Sequence, residues 1–256
     1  MKKVNTLYFS ATDTTKKIVS AIACGFGEIS TEYDITLPPS RGERHSFSED
    51  DIVVVGVPVY AGRVPEFLVD YFKSIKGNYS KAVCVVLYGN RDYDDALLEL
   101  KNIINQQGFE VIAAGAFIGE HSYTANVAQG RPDIQDIQVA IEFGRSIKNK
   151  LKNTSEIVGE LQVKGNFPYS EGMASAPSIG PTTDINCIQC GKCAQYCPTE
   201  AIDDDDCRLV DATKCIKCCS CVKRCPKDSK ELMVKTIIKR LEDNFTKLRK
   251  EPEVFI

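Results

Sequence analysis

From Cys187 to Pro226 the chain reads C-I-Q-C-G-K-C-A-Q-Y-C-P, a spacer, then C-I-K-C-C-S-C-V-K-R-C-P. Both motifs have the spacing C-x2-C-x2-C-x3-C-P. A cubane iron–sulfur cluster needs four converging thiolates, and the x2 steps let three cysteines of one short loop reach one cluster. The cysteine before the proline is too far along to join them and ligates the other cluster. One 4Fe-4S cluster is therefore assigned to Cys187, Cys190, Cys193 and Cys225, and a second to Cys215, Cys218, Cys221 and Cys197. Four-cysteine zinc sites use separated C-x2-C pairs without the third cysteine or the proline. A disulfide framework would spread its cysteines in a secreted pattern.

All 12 cysteines but Cys24 and Cys84 lie after residue 186, so the first two thirds form a different object from the last third. The length of 256 residues fits two domains. A net charge of −3 gives no electrostatic case for nucleic acid. No apolar run reaches the roughly 18 residues of a membrane span. The start at Met1 is too short and polar in its apolar part for a signal peptide. Thiolate-ligated clusters fit a reducing, cytoplasmic location.

The elements that must position chemistry come before the cysteines. Val4 to Phe9, Thr31 to Leu37, Ile52 to Val57, Ala82 to Tyr88 and Glu110 to Ile118 are short apolar or β-branched runs that predict buried strands. Helical spacing is predicted between them: Ile18, Val19, Ile22 and Phe26, stopped by Gly25 and Gly27; then Val64 to Ile75, Asp92 to Gln107, and Asp133 to Leu151. Five strands alternating with helices predict an α/β fold with a doubly wound parallel sheet, whose ligands bind beyond the strands' carboxyl ends. The loops there are rich in hydroxyl, Gly and Tyr residues: Ser10 to Thr15, Pro58 to Pro65, Tyr88 to Tyr93 and Gly119 to Tyr123.

S-A-T-D-T-T, at Ser10, Ala11, Thr12, Asp13, Thr14 and Thr15, resembles the phosphate loop of flavodoxins. V-P-V-Y-A-G-R-V-P and Y-G-N-R-D-Y resemble the loops that cover the flavin faces. The resemblance implies flavin mononucleotide (FMN). Helix N-terminal amides and the hydroxyls would hold the phosphate. Pro58, Val59, Tyr60, Ala61 and Gly62 would line the ring on one side, and Tyr88, Gly89, Asn90, Arg91 and Tyr93 on the other, with Tyr60 and one of Tyr88 or Tyr93 flanking the isoalloxazine. Asp13 departs from the pattern, which has Gly there; its carboxylate is repulsive to a phosphate unless it turns away to cap the helix or Lys16 or Lys17 offsets it.

Each residue also has a plainer reading. S-x-T-x-x-T alone is a helix cap, and Tyr60 and Tyr88 are ordinary core aromatics. Arg63 and Arg91 face solvent, Cys24 and Cys84 are inert core thiols, and His45 is solvated. His121 relays a proton to reduced flavin or is a loop histidine bonded to backbone.

Residues 153–183 read as an irregular connector, mobile or wrapped on a surface. Asp203 to Asp206 read as a solvated turn, with an acidic docking patch as the alternative. Cys207 and Cys219 fall outside the ligand spacing as spare thiols. Ser229 to Lys250 predicts an amphipathic helix packing back on the first domain or the connector, with a partner-binding helix as the alternative, followed by a tail that docks. The divisions are 1–152 flavodoxin-like, 153–183 connector, 184–227 a small α+β ferredoxin module, and 228–256 helix and tail.

As a whole the chain resembles the flavodoxin–bacterial-type ferredoxin fusion proteins of anaerobes. That implies electron transfer coupling two 4Fe-4S clusters to FMN, with redox proteins as partners and no residue nominated as catalytic. The alternatives are a flavin- and iron–sulfur-dependent reductase of a quinone-like or nitro compound, and a ferredoxin with a flavin-free docking domain. A homodimer is left open.

Overall fold

The computed structural model describes residues 3–27, 29–153, 160–172 and 178–256. Ile157 and Val158, which the sequence leaves between extending the preceding helix and packing locally, lie outside these residues.

The chain runs β1 (Lys3–Tyr8), α1 (Thr14–Phe26), β2 (Ile29–Asp34), α2 (Pro38–Arg41), β3 (Asp51–Pro58), α3 (Glu66–Ser74), β4 (Lys81–Tyr88), α4 (Ala96–Gln106), β5 (Glu110–Ile118) and α5 (Ile134–Asn153). There follow β6 (Thr182–Thr183), α6 (Lys192–Gln195), α7 (Ser220–Lys223), β7 (Lys230–Glu231), α8 (Lys235–Phe245) and β8 (Glu253–Phe255). The main sheet has the order β2-β1-β3-β4-β5-β8. Its first five strands are parallel, in the 2-1-3-4-5 order of flavodoxin-like doubly wound folds.

Successive strand residues point to opposite faces, so each buried strand feeds two cores. Val53, Val55, Cys84 and Val86 pack with Leu68, Leu97 and Leu100 of α3 and α4. Val54, Val83 and Val85 pack with Ile18, Ile22, Ala140 and Ile147 of α1 and α5. The β-branched runs have no polar face because both faces are covered.

The structure corrects several expectations. Gly25 does not stop α1, which runs on to Phe26. A Cβ on Gly25 would lie 2.2 Å from the Ile141 carbonyl oxygen, and one on Gly144 would lie 2.1 Å from that of Ile22. The two glycines let the α1 and α5 backbones touch. The sheet has a sixth strand, because the tail docks as β8 antiparallel to β5. The helix predicted over 229–250 is α8, beginning at Lys235, because Lys230–Glu231 is drawn into pairing with Thr182–Thr183. Cys84 is buried as expected, but Cys24 is exposed on the outer side of α1.

The connector wraps α4. Buried Lys101 donates to Glu160 and to the Leu161 carbonyl, and Asp95 accepts from the Asn166 and Ser170 amides. Arg63, expected in solvent, instead pairs with Glu99 and stacks on Tyr169 of the connector.

Candidate functional site: two thiol cavities against the loop edge of the sheet

The cysteine motifs fold into two short helical turns, α6 and α7, closed by the β6–β7 pair. Cys187, Cys190, Cys193 and Cys225 line one cavity of about 330 Å³, open mouth included. Cys197, Cys215, Cys218 and Cys221 line another of about 400 Å³. Each expected set of four thus shares one cavity, with its fourth cysteine supplied by the other motif. Among the described residues no His, Cys, Asp and Glu group is tight enough for a single metal ion. The thiols surround a larger space, which suits a cubane whose ligands stand apart at its corners. The cysteine before each proline also accepts a backbone N–H: Ala201 donates to Cys197 Sγ at 3.2 Å and Ser229 to Cys225 Sγ at 3.3 Å.

Spacing alone missed two neighbours. Cys207 and Cys219 are buried and each lines a cavity, Cys207 with the first set and Cys219 with the second. Their signal was weak because neither falls at a motif position. Asp203 to Asp206 form a local turn, in which Asp203 accepts from the Asp205 and Asp206 amides and Asp206 accepts from Gln189 and Arg208.

On the sheet's loop edge, Ser10 and Thr15 are buried. The Lys16 amide is taken by Ser10 Oγ (3.1 Å) and the Lys17 amide by the Asp13 carbonyl. Helix geometry gives Thr14 and Thr15 N–H no intrahelical acceptor. Asp13 holds the left-handed conformation (φ 65°) that glycine would adopt, and its side chain makes no cap. It pairs instead with Arg224 of the cysteine module at 2.8 Å, and the same Arg224 nitrogen reaches the Ala11 carbonyl. Where the resemblance expects Gly, Asp13 makes a contact between the two parts of the chain.

Two more contacts dock the module. Lys223 pairs with Glu120 at 2.6 Å, and Arg41 donates to the Pro198 carbonyl, next to Cys197. Cys218 belongs to the same apolar cluster as Val59, Tyr60 and Ile216. The second thiol cavity therefore abuts the Pro58 to Gly62 loop. Burial, with Cys218, Cys219 and Tyr123 close by, pushes the Tyr60 hydroxyl well above its ordinary pKa.

The 88–93 loop does not present itself as expected. Tyr88 and Tyr93 are 3% and 1% exposed and pack on each other. The tail covers them: the Lys250 ammonium lies over the Tyr88 ring, and Tyr93 donates to Glu253 at 2.8 Å. Asn90 is fully buried and donates to the Phe245 and Leu248 carbonyls. These three are core and tail contacts, because residues 245–253 return to the loop. Gly89 lies against the His121 ring, and Arg91 pairs with Asp94. Burial, with Lys223 and Arg91 nearby, pushes His121 down to about 4, and its Nδ1 accepts the Tyr123 amide, the backbone bond of its plainer reading.

α8 bridges the two halves, as expected. Ile238 packs with Cys219, Leu232 and Tyr123, and Glu242 accepts from Thr124 and Asn126 of the loop after β5.

The family described as "4Fe-4S binding domain" matches residues 186–203, which span the first cysteine motif. No curated protein matches the sequence. Among solved structures, a flavodoxin from the domain Archaea is similar at 17% identity, covering 59% of this chain and 99% of that one, with a TM-score of 0.39. The rubredoxin oxygen:oxidoreductase of the anaerobe Desulfovibrio gigas is similar at 17% identity over 59% of this chain, with a TM-score of 0.41; the match covers 36% of that longer chain. A flavodoxin of Streptococcus pneumonia TIGR4 is similar at 14% identity, covering 57% of this chain and 98% of that one, with a TM-score of 0.40.

A 4Fe-4S binding domain places the chain among redox, electron-transfer proteins. In this chain the match to a 4Fe-4S binding domain follows a doubly wound parallel sheet of order 2-1-3-4-5. No described helix is long and apolar enough to cross a membrane.

Proposed function

We propose that this protein transfers electrons between two 4Fe-4S clusters and an FMN within one chain. The observation that carries the reading is the seating of the second thiol cavity on the sheet's loop edge, with Cys218 packed in one cluster with Val59 and Tyr60. Cys187, Cys190, Cys193 and Cys225 would hold one cluster, and Cys197, Cys215, Cys218 and Cys221 the other. Ser10 to Thr15 would hold the flavin phosphate and Pro58 to Gly62 the ring edge. The flavin supplies a centre that takes one or two electrons, while each cluster passes one. The chain's own residues fix the distance: Asp13–Arg224 and Glu120–Lys223 clamp the module beside the loops, so transfer need not await an encounter.

The test is anaerobic reconstitution with iron, sulfide and FMN, followed by rapid mixing with a one-electron reductant. Two clusters and one flavin per chain are expected, with a cluster-to-flavin phase whose rate does not change with protein concentration. A protein that takes up iron but leaves FMN free in solution would sink the flavin half of the proposal.

A further inference from the structure

We infer that Lys230 is the buried counter-ion of the first cluster and makes it the easier of the two to reduce. Lys230 sits on β7, paired with Thr183, and is 3% exposed. It lines the same cavity as Cys187, Cys190, Cys193 and Cys225. Its ammonium donates to the Cys207 carbonyl at 2.5 Å, and among the described residues no carboxylate pairs with it. Burying an ammonium without an opposite charge is costly. Here the missing anion is the cluster itself: four thiolates outweigh the core's positive charge, and one added electron deepens the negative charge. No bond forms or breaks in that step.

The second cavity has no equivalent. Its lysine, Lys217, is only half-buried, and the other lysines of the first cavity, Lys192 and Lys227, are exposed. The amide-to-sulfur bonds do not distinguish the sites, since each cavity has one at its proline-linked cysteine. Lys230 lines the first cavity and not the second, so the second cluster feels its charge more weakly. An electron shared between the clusters then rests on the first one, away from Tyr60, until the flavin or a partner draws it.

The inference rests on the proposed assignment of the first four cysteines, and iron content tests that assignment separately. The experiment is an anaerobic redox titration of the reconstituted full chain, followed by electron paramagnetic resonance, for wild type, Lys230→Met and Lys230→Arg. Wild type holding iron for one cluster only would refute the assignment. With full iron, K230M should lower one potential by a tenfold change in the reduced-to-oxidised ratio, 59 mV for one electron, and the other by less, while K230R stays near wild type. In a Cys190→Ser chain, which keeps only the second cluster, K230M should give only the smaller shift. Loss of first-cluster iron in K230M but not in K230R would also support the role of charge. Full iron with unmoved or equally shifted potentials would overturn it, as would iron loss in both variants, which would make Lys230 a packing residue.

Discussion

Asp13 shows how one residue can read as a defect in sequence and as a contact in the fold. It occupies a left-handed turn and pairs with Arg224, which lies 211 positions away. Left-handed backbone costs an ordinary L-residue about 1–2 kcal/mol and glycine almost nothing. Both Asp13→Ala and Asp13→Gly lose a half-exposed ion pair worth at most about 1 kcal/mol. Asp13→Ala should therefore be about 1 kcal/mol less stable than Asp13→Gly in urea unfolding; equal stabilities would mean the turn relaxes. His121 gives a pH prediction. Its folded value of about 4 lies below the ordinary 6.5. The unfolded chain therefore takes up a proton that the folded chain refuses, so stability is full above pH 6.5 and falls as the pH drops towards 4. Linkage gives a loss of about 2 kcal/mol by pH 5. Urea unfolding of wild type and His121→Gln at pH 7 and pH 5 checks this: the variant should lack that part of the slope.

At the scale of elements, the α1–α5 crossing depends on the absence of two side chains. Gly25→Ala would push a methyl into a backbone carbonyl rather than a movable side chain. Overpacking of this kind costs about 1–3 kcal/mol, readable as a lower denaturation midpoint. The sixth strand offers a second test. β8 pairs Glu253, Val254 and Phe255 with Ala116, Gly115 and Ala114. Removing residues 252–256 uncovers that edge and takes Glu253 from Tyr93. Amide exchange of β5 should speed up there while β3 and β4 keep their protection; unchanged exchange would show that β5 needs no cover.

For the whole molecule, the proposed cofactors would sit in different modules, the clusters in the two thiol cavities and the flavin at the sheet's loop edge. Cys190→Ser should lose about half the iron and spare the flavin; loss of both cofactors would contradict independent modules. Reversing the clamp with Lys223→Glu and Arg224→Glu should slow cluster-to-flavin transfer at least tenfold with iron content kept, because like charges then face Glu120 and Asp13. An unchanged rate would place the electron path elsewhere.

What could be read in advance divides along the same line. The eight thiols, their division into two sets and the alternation of buried strands follow from spacing and periodicity, which act over a few residues and need no partner. The fate of Tyr88, Asn90 and Tyr93, the pairing of Asp13 with Arg224, the closeness of Cys218 to Tyr60 and the burial of Lys230 depend on segments far apart in the chain. No local pattern records which distant segment will cover a loop, because that is settled only when the packed halves find charges and apolar surface to match. The sequence by itself set where the thiols and the buried strands fall; the tertiary structure decided which loops and thiols face each other, because only packing brings distant segments together.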